Sequence, residues 1–246
     1  GGYNLLDQLT DFDNVKRQGI NGPVWALIAL DSHQYKIPEN SGVANPNTRQ
    51  KMIDYILGKE KTGGGWALSG SKGDPDMTAM ALIALNNYPG QPEVKAAVDR
   101  GITWLSENQI AAGGADDGGY GSWGTVNCES NAQVMLALSD LGLNSDTDSR
   151  FIKNGQTTLS ALKQFYISDS DYGAGFMHVK AGSGTGGGGA AGVWNDMATD
   201  QGLEALVSTE RTQESKNAIF DMTDVTIDKQ QVTGVSLNET KGVFDK

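Results

Sequence analysis

Asp74-Pro75-Asp76-Met77-Thr78-Ala79-Met80-Ala81-Leu82-Ile83-Ala84-Leu85 is the stretch from which the rest of the chain can be read. Asp74 offers a side-chain oxygen to cap a helix start, Pro75 suits the first helical position, and Asp76 complements the positive end of the helix dipole. Ala, Met and Leu are strong helix formers. From Met77 onward the segment is apolar on nearly every side, which marks a helix walled in by other helices.

Three further segments share this pattern: Trp25-Ala26-Leu27-Ile28-Ala29-Leu30, Ala132-Gln133-Val134-Met135-Leu136-Ala137-Leu138 and Gln201-Gly202-Leu203-Glu204-Ala205-Leu206. Leu30, Leu85, Leu138 and Leu206 close the four segments at steps of 55, 53 and 68 residues. Such a period signals a repeat architecture. Between the segments lie helices with one apolar side. Residues 92–109 set Val94, Ala97, Val98, Ile102 and Leu105 at three- and four-residue spacing, with Lys95, Asp99 and Arg100 opposite. Residues 48–57 and 148–166 repeat the pattern, and residues 4–16 are expected to follow it. Glycine-aromatic turns come next: Gly63-Gly64-Gly65-Trp66, Gly118-Gly119-Tyr120-Gly121-Ser122-Trp123 and Tyr172-Gly173-Ala174-Gly175-Phe176. Glycine supplies the positive φ angles that end a helix. The predicted unit is therefore inner helix, outer helix and turn. Stacked units make residues 1–221 an all-α fold, an α/α toroid of repeated helical hairpins, with an open α-solenoid as the alternative.

These residues resemble the repeats of the terpenoid cyclase and protein prenyltransferase superfamily over roughly residues 3–220. They are closer still to the prenyltransferase-repeat domains of Gram-positive bacterial surface proteins. The likeness is carried by Gly19-Ile20-Asn21-Gly22-Pro23-Val24-Trp25, by Asp74-Pro75-Asp76-Met77-Thr78-Ala79, by Glu129-Ser130-Asn131-Ala132-Gln133 and by Asn195-Asp196-Met197-Ala198-Thr199. It implies a toroid and an extracellular, cell-wall-associated setting. Domains of this kind are similar in plan to vitamin B12 carriers, are often joined to Ig-like modules and have no assigned activity. From Thr223, the residues Val225, Ile227, Val232, Val235 and Leu237 alternate with polar ones, as in a strand. Residues 222–246 are accordingly expected to be a linker running into a bacterial Ig-like domain, within a longer exported protein.

A net charge of −11, from 19 basic and 30 acidic residues, argues against a nucleic-acid partner, which demands clustered Lys and Arg. No apolar run is long enough to insert in a membrane. The single cysteine, Cys128, excludes an intramolecular disulfide and a thiolate-rich zinc site. Cys128 sits near where the prenyltransferases place a zinc-binding Cys. Their paired Asp is Val126 here and their His is replaced by Trp194-Asn195, so no metal and no cofactor are expected, and the thiol reads as a buried small group.

In the resemblance, Asp76 falls where squalene–hopene-type cyclases place the carboxylic acid that protonates an alkene. Met77 replaces an adjacent acid of that motif, and helix capping alone also accounts for Asp74 and Asp76. Parallel inner helices would gather Asp74, Asp76, Glu129, Asn131, Asn195 and Asp196 at one mouth. Trp25, Trp66, Trp123 and Trp194 are expected near it, and His178 is either a turn residue or part of its lining. Carboxylates and indoles suit a polyol, amine or cation. The glycine-rich residues 181–192 read as a spacer or as a flap over this mouth. The expected function is a non-catalytic binding or scaffold module taking a small molecule, a glycan or a protein partner outside the cell. The alternatives are a terpene-cyclase-like enzyme with Asp76 as general acid, and a corrinoid binder.

Overall fold

The computed structural model describes residues 4–184 and 187–225. In chain order the α-helices are α1 (Phe12–Val15), α2 (Asn21–Asp31), α3 (Arg49–Leu57), α4 (Pro75–Asn86), α5 (Pro92–Asn108), α6 (Cys128–Asp140), α7 (Thr158–Lys163) and α8 (Asp196–Gln213). Three antiparallel hairpins intervene. They are β1 (Gly121–Ser122) with β2 (Thr125–Val126), β3 (Ile152–Lys153) with β4 (Gln156–Thr157), and β5 (Tyr166–Asp169) with β6 (Gly173–Phe176).

The four apolar segments lie within α2, α4, α6 and α8, which pack against one another in that order. Leu27 and Leu30 of α2, Leu82 and Leu85 of α4, and Leu138 of α6 are fully buried between them. The one-sided helices α3, α5 and α7 lean on α2, α4 and α6, each turning its apolar stripe inward. In α5 that stripe is Val94, Ala97, Ile102 and Leu105.

This architecture is not the all-α toroid that the repeat predicts. Among the described residues it is a mostly helical mixed fold, eight α-helices with three small two-stranded sheets, and no ring of many helical hairpins forms. The physical reason lies in the stretches read as outer helices. Within residues 148–166, Asn154 and Gly155 take φ of 51° and 78°. Two successive left-handed residues make the tight hairpin turn for which Asn-Gly is the preferred pair. The expected helix is thus divided into a 3₁₀ turn (Ser149–Phe151), the β3–β4 hairpin and the six-residue α7. The first outer helix breaks similarly. Asn4 and Asp11 each cap a separate short turn, leaving 3₁₀ segments Leu5–Leu9 and Lys16–Gln18 on either side of α1.

The third glycine-aromatic turn is also a hairpin, with Tyr166 opposite Phe176. Val225 is exposed and lies in no strand. Ile227, Val232, Val235, Leu237 and the Ig-like opening fall outside the described residues.

Glycine within α5 is explained by close packing. A Cβ on Gly101 would stand 2.8 Å from Leu82 Cδ2 and 3.0 Å from Trp66 Cζ3. Gly101→Ala gains up to about 1 kcal/mol of helix propensity. It also overpacks the α4–α5 interface at a cost of about 1–3 kcal/mol. The expected net result is a melting temperature lower by about 2–4 °C, read by thermal denaturation.

Candidate functional site

α4, α6 and α8 begin at one pole of the molecule. Each start is closed by a side chain from the preceding residue: Asp74 accepts from Met77 N–H, Asn127 from Ser130 N–H and Asn195 from Ala198 N–H. Two contacts tie these starts together. The Cys128 thiol reaches the Ala198 carbonyl at 3.5 Å, and Asp76 lies beside the hydroxyls of Ser130 and Ser122, which hydrogen-bond to each other at 3.0 Å.

At the centre of this pole is a buried pair. His178 Nδ1 lies 2.6 Å from Glu129 Oε2, and the two residues are only 6% and 7% exposed. The pairing follows from the backbone, since Cys128 N–H donates to the His178 carbonyl at 2.9 Å and so delivers the imidazole to the first turn of α6. Burial raises the Glu129 carboxyl above the usual range. His178 opposes the shift and the nearby Asp76 charge adds to it. Burial also raises the Asp76 carboxyl, against the stabilising hydroxyls of Ser130 and Ser122. The Cys128 thiol is pushed up by burial and by Glu129, which makes it an inert small core group.

Three buried atoms in this cluster make no hydrogen bond: Asp76 Oδ1, Glu129 Oε1 and His178 Nε2. Such orphaned groups are rare in folded proteins because each forfeits its hydration. Gly188 packs on the last of these three residues. A Cβ on Gly188 would drive into the His178 imidazole, and Asn195 Nδ2 donates to the Gly188 carbonyl at 3.1 Å. Gly188 and Gly189 of the glycine-rich tract rest on His178 and Asn195.

Beside the cluster, the β1–β2 hairpin carries Trp123 at its tip. Trp123 and Gly124 have φ of 54° and 81°, so an indole occupies a turn position that normally takes Asn, Asp or Gly. The ring is 77% exposed. It forms the wall between two grooves of about 160 and 270 Å³, which also share Asp74 and Ser122. The larger groove adds Trp104 and Asn108 of α5. Trp104 sits over glycine backbone, because side chains at Gly65 or Gly73 would collide with it.

Asp74, Asp76, Trp123, Glu129, His178 and Asn195 are thus gathered at one pole. Others among the predicted mouth residues have different duties. Trp66 is wholly buried and donates its indole N–H to the Ile56 carbonyl at 2.7 Å. Trp25 packs edge-on against Phe220. Asn131 is buried and clamps Tyr120, accepting from its N–H and donating to its carbonyl. Trp194 stacks on Tyr172 with ring centroids 4.9 Å apart, and Asp196 is a solvent-exposed first-turn charge. Trp104, Asn108 and Ser122 are site residues that the sequence reading missed as such. The only signal for Trp104 was a large aromatic on the polar side of an amphipathic helix.

Among the described residues no group of three or more His, Cys, Asp and Glu side chains is placed to hold a metal ion, and no helix is long and apolar enough to cross a membrane. Fold and site together define a layered helical protein with a polar, indole-rimmed face where three helices start. No family model matches the chain, and no curated protein matches it either.

Because its folded carboxyl titrates above the unfolded one, Asp76 contributes stability that is complete below its ordinary value of 3.8 and is lost as pH rises through the raised value. Asp76→Asn removes that loss. Denaturant unfolding should find the variant more stable than the parent at pH 7, with the difference vanishing near pH 3.

Proposed function

We propose that the chain is a non-catalytic binding module of an exported cell-surface protein, and that it takes a glycan at the pole where α4, α6 and α8 begin. The observation that carries this reading is Trp123. An exposed indole held at positive φ costs about 1–2 kcal/mol relative to a residue suited to that turn. It presents a flat apolar face between two polar grooves. A sugar ring stacks on such a face through its C–H groups, while Asp74, Ser122 and Asn108 line up as partners for its hydroxyls. The acidic balance of the chain and the Asp74 carboxylate shared by both grooves favour a neutral ligand over a phosphorylated one, with Lys72 a basic side chain of the smaller groove.

Of the alternatives, the acid catalyst needs an apolar cavity opening onto Asp76. The two grooves at this pole mix polar groups with Leu68, Pro75 and aromatic rings, are small, and do not include Asp76 in their lining. A corrinoid would need a broader opening than either groove offers.

Calorimetric titration of the protein with neutral β-linked glucose and N-acetylglucosamine oligomers tests the proposal. Saturable binding is expected, with Trp123→Ala weakening it about tenfold or more, near 1.4 kcal/mol. Trp123→Asn should lose the same affinity while raising the melting temperature, because Asn suits the turn. No saturable heat from any oligomer, or binding by both variants as tight as by the parent, would refute it.

A further inference from the structure

A cavity of about 580 Å³ lies at the opposite pole, where α2, α4 and α6 end. Its size is that of a small-molecule site. Ile28 and Ile83 form an apolar floor, and the rings of Tyr35, Tyr88 and Phe220 stand around it. The chain after α8 completes the wall. Met222 N–H donates to the Ser32 carbonyl at 2.7 Å, and His33 Nδ1 lies 3.0 Å from the Met222 carbonyl.

The charged groups of this lining fall into two sets. Asp31 and Arg49 satisfy each other at 2.7 Å. Arg49 also donates to the carbonyls of Leu30 and Tyr35, and the Tyr88 hydroxyl donates to Asp31 at 2.6 Å. Asp140 and Asp221 stand apart from that pair. Asp140 is held by the neutral amide of Asn86 at 3.0 Å, faces the like charge of Asp221, and ends α6 at the negative pole of its dipole. Lys36 is the other cation of the lining.

We propose that this cavity binds an organic cation, a primary alkylammonium group, with Asp140 and Asp221 taking the charge and the aromatic rings taking the methylene chain. Three helices end around this space, and the negative ends of their dipoles disfavour an anion and favour a positive guest. Tyrosine and phenylalanine faces add cation–π attraction. The aromatic and isoleucine walls suit an organic group better than a hydrated metal ion, and the described residues hold no metal-ready cluster. Burial, partly offset by the Asn86 amide, pushes the Asp140 carboxyl to about 6, with Asp221 adding to the rise. Asp140 is therefore charged at pH 7.5 and neutral at pH 5. The proposal does not depend on the glycan reading, because it concerns the other end of the helices.

The same ammonium chemistry is offered by a free diamine and by the lysine side chain of a peptide. Titrating the protein at pH 7.5 with cadaverine and, separately, with Nα-acetyl-lysine amide distinguishes the two sources. At least one should bind saturably. Asp140→Asn and Asp221→Asn should each weaken it about tenfold, and binding by the parent should weaken as pH falls from 7.5 to 5. Asp140→Asn removes a disfavoured buried charge, so its fold is expected to be at least as stable at pH 7.5, which its melting curve checks. The absence of saturable binding by either amine, undiminished affinity in both variants, or an equal response to sodium chloride at matched ionic strength would overturn the proposal.

Discussion

The complete burial of one helix carrying polar side chains is the constraint on which the rest of the molecule depends. Every residue of α6 from Cys128 to Ser139 is buried, including Glu129, Ser130, Asn131, Gln133 and Ser139. A buried polar group without a partner is costly, so the neighbours of α6 are arranged to meet these side chains. Glu129 meets His178, Ser130 meets Ser122, and Asn131 meets the Tyr120 backbone. Gln133 pairs with Gln201 and Ser139 with Thr209 on α8. The apolar residues of α6 make non-directional contacts. Its polar side chains set the register of α8 and the positions of the β1–β2 hairpin and of the segment bearing His178.

That view explains why the glycine-rich regions are built as they are. Gly188 has no side chain because the His178 ring occupies the place where one would go, and Gly65 and Gly73 leave room for Trp104. Gly188 and Gly189, in a tract whose composition reads as a spacer, pack against His178 and Asn195. A close approach of backbone to ring, more than turn geometry, is what these glycines permit.

The helices α2, α4 and α6 were legible because their Ala, Leu and Ile runs leave few other solutions. The segment in α8, read as walled in on nearly every side, leaves Leu203 and Val207 about half exposed, because only its Ala198, Gly202 and Ala205 side faces α6. The outer layer was not legible. Phe151, Leu159 and Leu162 share a helical spacing, but Phe151 belongs to a 3₁₀ turn and the two leucines to α7, with Asn154-Gly155 reversing the chain between them. Spacing in a sequence does not register such a reversal unless the turn pair is weighed against the periodicity. The site was legible in part. Asp76 and Glu129 announce themselves as helix-start acids, but His178 lies 49 residues beyond Glu129 and only tertiary packing unites them. Trp66 has the same local context as Trp123. Burial separates them, one indole being consumed by the core and the other left in solvent.

The two poles of the helix layer therefore differ in kind. Helix starts, orphaned buried atoms and an exposed indole lie at one end, while helix ends and an open cavity with carboxylates and aromatic rings in its lining lie at the other. The first of these is the face we propose to bind a glycan. Its five tryptophans give the protein five indole N–H signals in a ¹H–¹⁵N spectrum, a direct map of where a ligand lands. Titration with a neutral β-linked oligosaccharide is expected to shift Trp123 and Trp104 saturably and to leave Trp66 and Trp25 in place. A Trp123 signal that stays fixed throughout, or shifts confined to Trp25 beside the opposite cavity, would contradict the account.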